Sequence, residues 1–322
     1  MATRGVLDSP AAGNYSGTEE PAFAVPARTE FLFLSRHLLL LGCCMKLSCL
    51  PVAVLGWIAC LSSWTIADDL FPDKNLEAVV RQNVFEKRNK PEPLVEADVV
   101  NISTIIGKGK KIANLQGLEK CKSLALLDLE NNEITDISAI KDLKQIQSLN
   151  LAKNKLESLA PLAGLVGIQY LEISDNRVAD LSPLSKIEAL VNLYASHNQI
   201  KDLAPLSDTK KIYSLYLDGN PIENFKPLAA LKNLERLDLR NTGISDLAPL
   251  ADHTEWRYLF LNNNKITDLS VLVTAAKKDF EGQKRFAPFW KLYIGDNPLS
   301  DAAKAQLEEL KKYGTRVHMA YP

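Results

Sequence analysis

Apolar residues along this chain recur with a period of 22. That is far longer than the 3.6 of a lone helix or the 2 of a lone strand, and a fixed long period is the signature of a stacked repeat. The segments LDLENNEI, LNLAKNKL, LEISDNRV, LYASHNQI, LYLDGNPI, LDLRNTGI and LFLNNNKI begin at Leu127, Leu149, Leu171, Leu193, Leu215, Leu237 and Leu259. An eighth copy, LYIGDNPL, begins at Leu292, 33 residues after Leu259, so that unit carries an 11-residue insertion within 273–291. A degenerate first copy falls at Ile105, with Ile112 matching Ile134. In each copy, pairs such as Leu127/Leu129 and Leu215/Leu217 alternate with polar or aromatic neighbours, the pattern of a strand with one buried face.

The columns predict an α/β repeat solenoid, a curved right-handed coil with a parallel β-sheet on its concave face over residues 105–299. Asn132, Asn154, Asn176, Asn198, Asn220, Asn264 and Asn297 follow each strand at one offset, where a buried amide can satisfy the backbone of the turn. Thr242 interrupts that ladder, at the expected loss of a hydrogen bond. Pro161, Pro183, Pro205, Pro227 and Pro249 share a column that cannot be an inner strand, and so mark the return leg. Asp136, Asp180, Asp202, Asp246 and Asp268, with Ser158 and Asn224 in the same column, read as capping residues rather than a metal cluster. Cys121 falls in the column of Leu143 and Leu165 and reads as a small buried hydrophobe.

A stack of repeats needs covers at both ends. Residues 68–104 are expected to form a helical N-terminal cap, with Leu76, Val80 and Val84 at helical spacing and a second short candidate from Leu94 to Ile102. Residues 300–322 are expected to form a helical C-terminal cap, with Ala302, Leu307 and Leu310 inward and Gly314 as the stop.

Residues 1–67 differ in kind. The first 30 are rich in Ala, Pro, Gly and Ser, and an uncharged, mostly apolar run follows Met45-Lys46 and ends in small residues before Asp68. That layout is a secretory signal, with Met45 as the expected start, or an uncleaved anchor through which alone the chain would meet a membrane. Export follows, to an extracellular, periplasmic or cell-surface location. Four of the five cysteines, Cys43, Cys44, Cys49 and Cys60, lie in this leader, which leaves no internal disulfide framework. The 38 basic and 39 acidic side chains nearly cancel, which argues against nucleic acid as a partner.

With these columns in place the chain resembles the 22-residue leucine-rich repeats of bacterial internalin-like proteins. The shared pattern is LxxLxxLxLxxNxIxDLxPL, seen for example from Ile212 through Leu228, and the resemblance spans Asp69 to Pro322, including FPDKNLEAVVRQ and DNPLSDAAKAQLEELKKYGTRV. It implies the solenoid fold and a surface that holds a partner. Without an LPxTG-type signal after the repeats, it does not imply wall anchoring or adhesion to host cells. Repeats of this length also occur in an intracellular phosphatase-regulatory subunit, a version the signal-like leader argues against.

The expected function is therefore non-catalytic protein binding on the concave face. The column between the paired leucines holds Tyr194, Tyr216, Phe260 and Tyr293, and the column before it adds Tyr170, Arg236, Tyr258 and Lys291. Aromatics are favoured in binding hot spots, although cross-strand stacking could equally serve the sheet. Lys277, Lys278, Lys284 and Arg285 in the insertion are a second candidate set, while Phe289 and Trp290 could be core. A glycan-binding or envelope-structural module using the tyrosine stripe is the alternative. No HExxH, GxGxxG, GxxxxGK[ST] or GxSxG pattern occurs, so the sequence offers no catalytic, cofactor or metal site.

Overall fold

The computed structural model describes residues 69–321, all within the compact unit Trp64–Pro322. The expected leader, its Met45 start and its cysteines lie outside the described residues. Ten strands form one open parallel sheet in strict chain order: β1 (Thr104–Ile106), β2 (Leu126–Asp128), β3 (Ser148–Asn150), β4 (Tyr170–Glu172) and β5 (Asn192–Tyr194), then β6 (Ser214–Tyr216), β7 (Arg236–Asp238), β8 (Tyr258–Phe260), β9 (Lys291–Tyr293) and β10 (Arg316–His318). The register pairs Ile105 with Leu127, Leu127 with Leu149, and so on to Leu292 with Val317, so each column of the repeat is a physical column of side chains. Ile105 is thus confirmed as the first copy.

The middle residue of β1 to β9 is fully buried, as are Leu129, Leu151, Leu217 and Leu261 one position beyond their strands. Opposite the sheet the chain returns through short 3-10 turns such as Ala160–Leu162, Ser182–Leu184, Ala204–Leu206 and Ala248–Leu250, each with its proline in the first turn. There a missing N–H costs nothing, because it has no helical acceptor. Leu162, Leu184, Leu206, Leu228 and Leu250 point inward and are fully buried. The acidic column behaves as expected: Asp180 and Asp246 accept from the N–H two residues on, and Ser158 and Asn224 do the same.

The asparagine ladder ties successive turns together. Asn198 Nδ2 donates to Ile173 O (2.9 Å) in the preceding turn and to Ala195 O (3.2 Å) in its own, while its Oδ1 accepts from Val178 N (2.9 Å). Thr242 Oγ1 meets Leu239 O in its own turn (2.7 Å) and Asn264 Oδ1 in the next (3.3 Å) but bonds nothing in the turn before, and the Ile222 N–H turns to Asn220 O instead.

The caps depart from expectation in detail. Helix α1 (Lys74–Arg81) starts at Asp73, whose carboxylate accepts from Asn75 N and Leu76 N, and it buries Leu76, Val79 and Val80; Val84 lies beyond its end. Helix α2 (Glu96–Val99) is a single turn. The insertion opens within helix α3 (Ser270–Glu281), because Leu272, Val273 and Ala276 supply one apolar face. The buried Asp279 carboxylate then accepts from Arg285 N, Phe286 N and Ala287 N and closes the loop that follows. In helix α4 (Asp301–Lys312) the inward residue is Ala303, not Ala302, beside Leu307 and Leu310. Gly314 ends it at a φ of 91°, a left-handed turn that suits glycine. Beyond it the C-terminal cap is not wholly helical, since β10 extends the sheet. Its sequence hid it, because only Val317 occupies the leucine column there. Trp290 is fully buried, whereas Phe289 is 66% exposed and is not core.

Candidate binding face

The first and third residues of every strand point away from the core, onto the open face of the sheet, and their character changes along the stack. Over β1–β3 the face neutralises itself: Lys108 bridges Asp128 (3.0 Å) and Glu130 (3.1 Å), and Lys153 pairs with Glu130 (3.0 Å). From β4 onward it becomes aromatic. Tyr170 and Tyr194 lie 5.4 Å apart by ring centroid, Tyr194 stacks on Tyr216 at 4.8 Å, Phe260 stacks on Tyr293 at 4.7 Å, and Tyr293 stacks on His318 at 4.6 Å. Burial first, then Tyr194, Asp238 and Tyr321 against the opposing pull of Arg236, push the Tyr216 hydroxyl up to about 12, so it is a neutral donor and acceptor.

Strand β7 carries Asp238 where an aromatic would continue the row, yet the row is not broken. The Tyr216 and Phe260 rings approach to 6.3 Å above it, and Asp238 is wholly buried. Burial raises its pKa, and Arg240 opposes that shift with Nε at 2.9 Å and Nη2 at 2.7 Å from the carboxylate. Arg240 also reaches Asp218 at 3.2 Å, and Tyr321 lies over its guanidinium at 3.6 Å. Tyr321 meets Phe260 edge-on at 5.5 Å and Tyr293 at 6.3 Å. Residues 319–321 therefore lie across the last strands. Gly295 permits this crossing, since a Cβ there would run into the Met319 carbonyl.

The expected contact residues divide accordingly. Tyr170, Tyr194 and Tyr216 are half-buried and present their edges outward, as does Tyr258. Phe260 and Tyr293 are buried beside Tyr321, so they support the face rather than lie open on it. Arg236 and Lys291 flank Tyr258, at 5.6 and 5.3 Å from its centroid. The insertion's basic residues are not gathered. Lys277 is exposed on α3, Lys284 lies over Phe280 at 5.1 Å, Lys278 and Arg285 both line a cavity of about 420 Å³ beside His253, and Arg285 alone reaches the strand rim through an ion pair with Glu255. Arg240, Arg257, Arg316 and Tyr321 were not singled out in the sequence. Arg240 was findable by following the column one residue past the leucine pair Leu237/Leu239, but Tyr321 lies outside every repeat column.

Among the described residues there is no group of three or more His, Cys, Asp and Glu side chains placed to hold a metal, and no helix long and apolar enough to cross a membrane. Cys121 is fully buried, and burial pushes its thiol up to about 12, which suits a core residue.

The family described as Leucine Rich repeats (2 copies) matches residues 232–273. No curated protein matches the chain in sequence. Among solved structures it is similar to an internalin (inlF) from Listeria monocytogenes, at 26% identity and a TM-score of 0.62 over 79% of this chain and 78% of that one. An internalin C2 (inlC2) from the same species matches at 25% identity and a TM-score of 0.57, over 77% of this chain and 95% of that one. The leucine-rich-repeat ectodomain of the Arabidopsis thaliana receptor kinase GASSHO1/SCHENGEN3, solved in complex with CASPARIAN STRIP INTEGRITY FACTOR 2, shares the fold at 19% identity and a TM-score of 0.51, over 63% of this chain and 25% of that one.

Proposed function

We propose that this internalin-like leucine-rich-repeat protein is an exported, non-catalytic module that holds a protein partner on the open face of its sheet. The observation that carries the reading is the aromatic row. Tyr170, Tyr194 and Tyr216 pack ring to ring across three successive strands, the first pair tilted and the second stacked, all half-exposed and next to a fixed cation and a buried carboxylate. Rigid aromatics of this kind offer large contact area at little entropic cost, and the strands that carry them are held by a continuous core. The Arabidopsis ectodomain of the same fold, with its bound factor, is consistent with such a use. Export rests on the apolar run after Met45.

Capture of a protein from the native extracellular milieu by the full chain, compared with its Tyr194→Ala/Tyr216→Ala variant, tests the binding reading. The expected result is a loss of affinity of tenfold or more, roughly what a buried hot-spot pair supplies, with the fold retained and the melting temperature lowered by only several degrees. Collapse of the fold in that variant would assign the row to sheet stability instead. N-terminal sequencing of the secreted product is expected to begin near Asp68; a product retained in the cell sinks the export reading.

A further inference from the structure

The strand rim at the C-terminal end of the stack encloses a cleft of about 500 Å³ in which cations outnumber carboxylates. Two of its cations are neutralised: Arg257 pairs with Glu235 at 2.5 Å, and Arg285 pairs with Glu255. The other three, Arg236, Lys291 and Arg316, are the first residues of β7, β9 and β10, and among the described residues no carboxylate pairs with them. Tyr258, first residue of β8, stands between Arg236 and Lys291 and holds both by its ring. A cation held against a ring keeps its N–H donors free, so these groups remain able to bind an anion.

The spacing says what kind of anion. Neighbouring strands lie about 4.8 Å apart, so the three cations stand at intervals of about 10 and about 5 Å along the sheet, with long side chains that absorb a mismatch. An extended peptide presents side chains on one side every ~7 Å. Phe289, largely exposed at the edge of the same cleft, adds an apolar contact beside the charges. The neighbouring face already carries protein chain: residues 319–321 lie over it, with Tyr321 seated on Arg240. We propose that this rim binds an acidic, extended segment of the partner, with carboxylates on Arg236, Lys291 and Arg316 and an apolar side chain over Tyr258 or Phe289. The proposal deepens the binding reading above and rests on it.

Fluorescence anisotropy with the full chain and a labelled short peptide of alternating Glu and Tyr tests this assignment. The acidic peptide is expected to bind, and its counterpart with Gln for Glu to bind at least tenfold more weakly. Raising NaCl well above physiological strength should weaken binding further, because exposed charges are screened. Arg236→Gln, Lys291→Gln and Arg316→Gln are each expected to weaken binding roughly two- to fivefold, and together by tenfold or more, without a change in melting temperature. Lys277→Gln, exposed on α3 and outside the cleft, should change nothing. Absence of peptide binding, equal binding of the Gln peptide, or an unaffected triple variant overturns the proposal. A sulfated oligosaccharide that binds in preference and depends on the same three cations also overturns it, in favour of a polyanionic glycan. Loss of partner capture on Tyr194→Ala/Tyr216→Ala alone, with the triple variant intact, leaves the face reading standing and removes only the acidic rim; the reverse pattern removes the face reading.

Discussion

Strands β1–β3 and β7–β10 are built on the same core and carry different faces. Ile105, Leu127 and Leu149 at one end and Leu237, Leu259 and Leu292 at the other are all fully buried. Outward, the first set offers Lys108, Asp128 and Glu130, which neutralise each other, while the second offers stacked aromatics and three cations without a carboxylate partner among the described residues. The core and the proposed binding face thus ride on separate columns of one repeat. The sharpest way to break that separation is at two adjacent residues. Leu215→Asp places an unpaired charge in the core and is expected to cost about 4 kcal/mol or more. Tyr216→Ala, next in sequence but on the face, is expected to cost about 1 kcal/mol through lost stacking. Urea unfolding followed by circular dichroism measures both, and comparable losses would mean that the face is part of the core.

The part of this division that obeys the period is legible in the sequence. Paired leucines, the asparagines and the return-leg prolines each require one residue type at one offset, and the sheet register reproduces those offsets. What escaped is what crosses columns. Asp238 reads as one more exposed acid, and only the closure of Tyr216 and Phe260 over it makes it buried. Phe260 reads as an open contact residue, but Tyr321, far along the chain, lies against it. Arg316 could not be placed on the rim because β10 lacks the leucine pair, and the insertion hid a helix because its apolar spacing is interrupted by Asp279, a polar residue that turns inward to cap a loop. The period reports the stack; departures from it report the site.

The ladder offers a finer comparison between regions. Asn198 reaches back to the preceding turn through its amide, whereas Thr242 bonds nothing in the turn before it. Asn198→Ala strands the Val178 N–H in the interior, while the Ile173 carbonyl keeps Asn176 Nδ2, and is expected to cost roughly 2 kcal/mol. Thr242→Ala leaves the Leu239 carbonyl with Asn264 Nδ2 and is expected to cost about 1 kcal/mol or less. Equal costs would show that the bond between turns contributes little and that the ladder acts only within each turn.

The smallest effect is expected from single protons, and the two ends should respond in different pH windows. His253, buried in the return leg and stacked on Trp256 at 4.9 Å, has no hydrogen-bond partner at either ring nitrogen among the described residues. Burial first, and then Lys232, hold its pKa below the ordinary 6.5, against the weaker pull of the Leu250, Leu231 and Leu228 carbonyls. The unfolded chain therefore takes up this proton more readily, so the contribution of neutral His253 is present above about 6.5 and is lost as pH falls toward its folded value. At the other end Asp73 is held below 3.8: burial opposes ionisation, but the Ala113, Asn114, Leu76 and Asn75 amides outweigh it. Its contribution is present above 3.8 and is lost only as pH falls through the depressed value. Amide hydrogen exchange read turn by turn, and corrected for intrinsic rates, should show the turns around His253 loosening from just below pH 6.5 while those around Asp73 stay protected until pH 3.8 is passed. His253→Phe should abolish the first step and leave the second. Loosening of both ends at the same pH would mean that the stack opens as one cooperative unit, and that a local proton cannot be read locally.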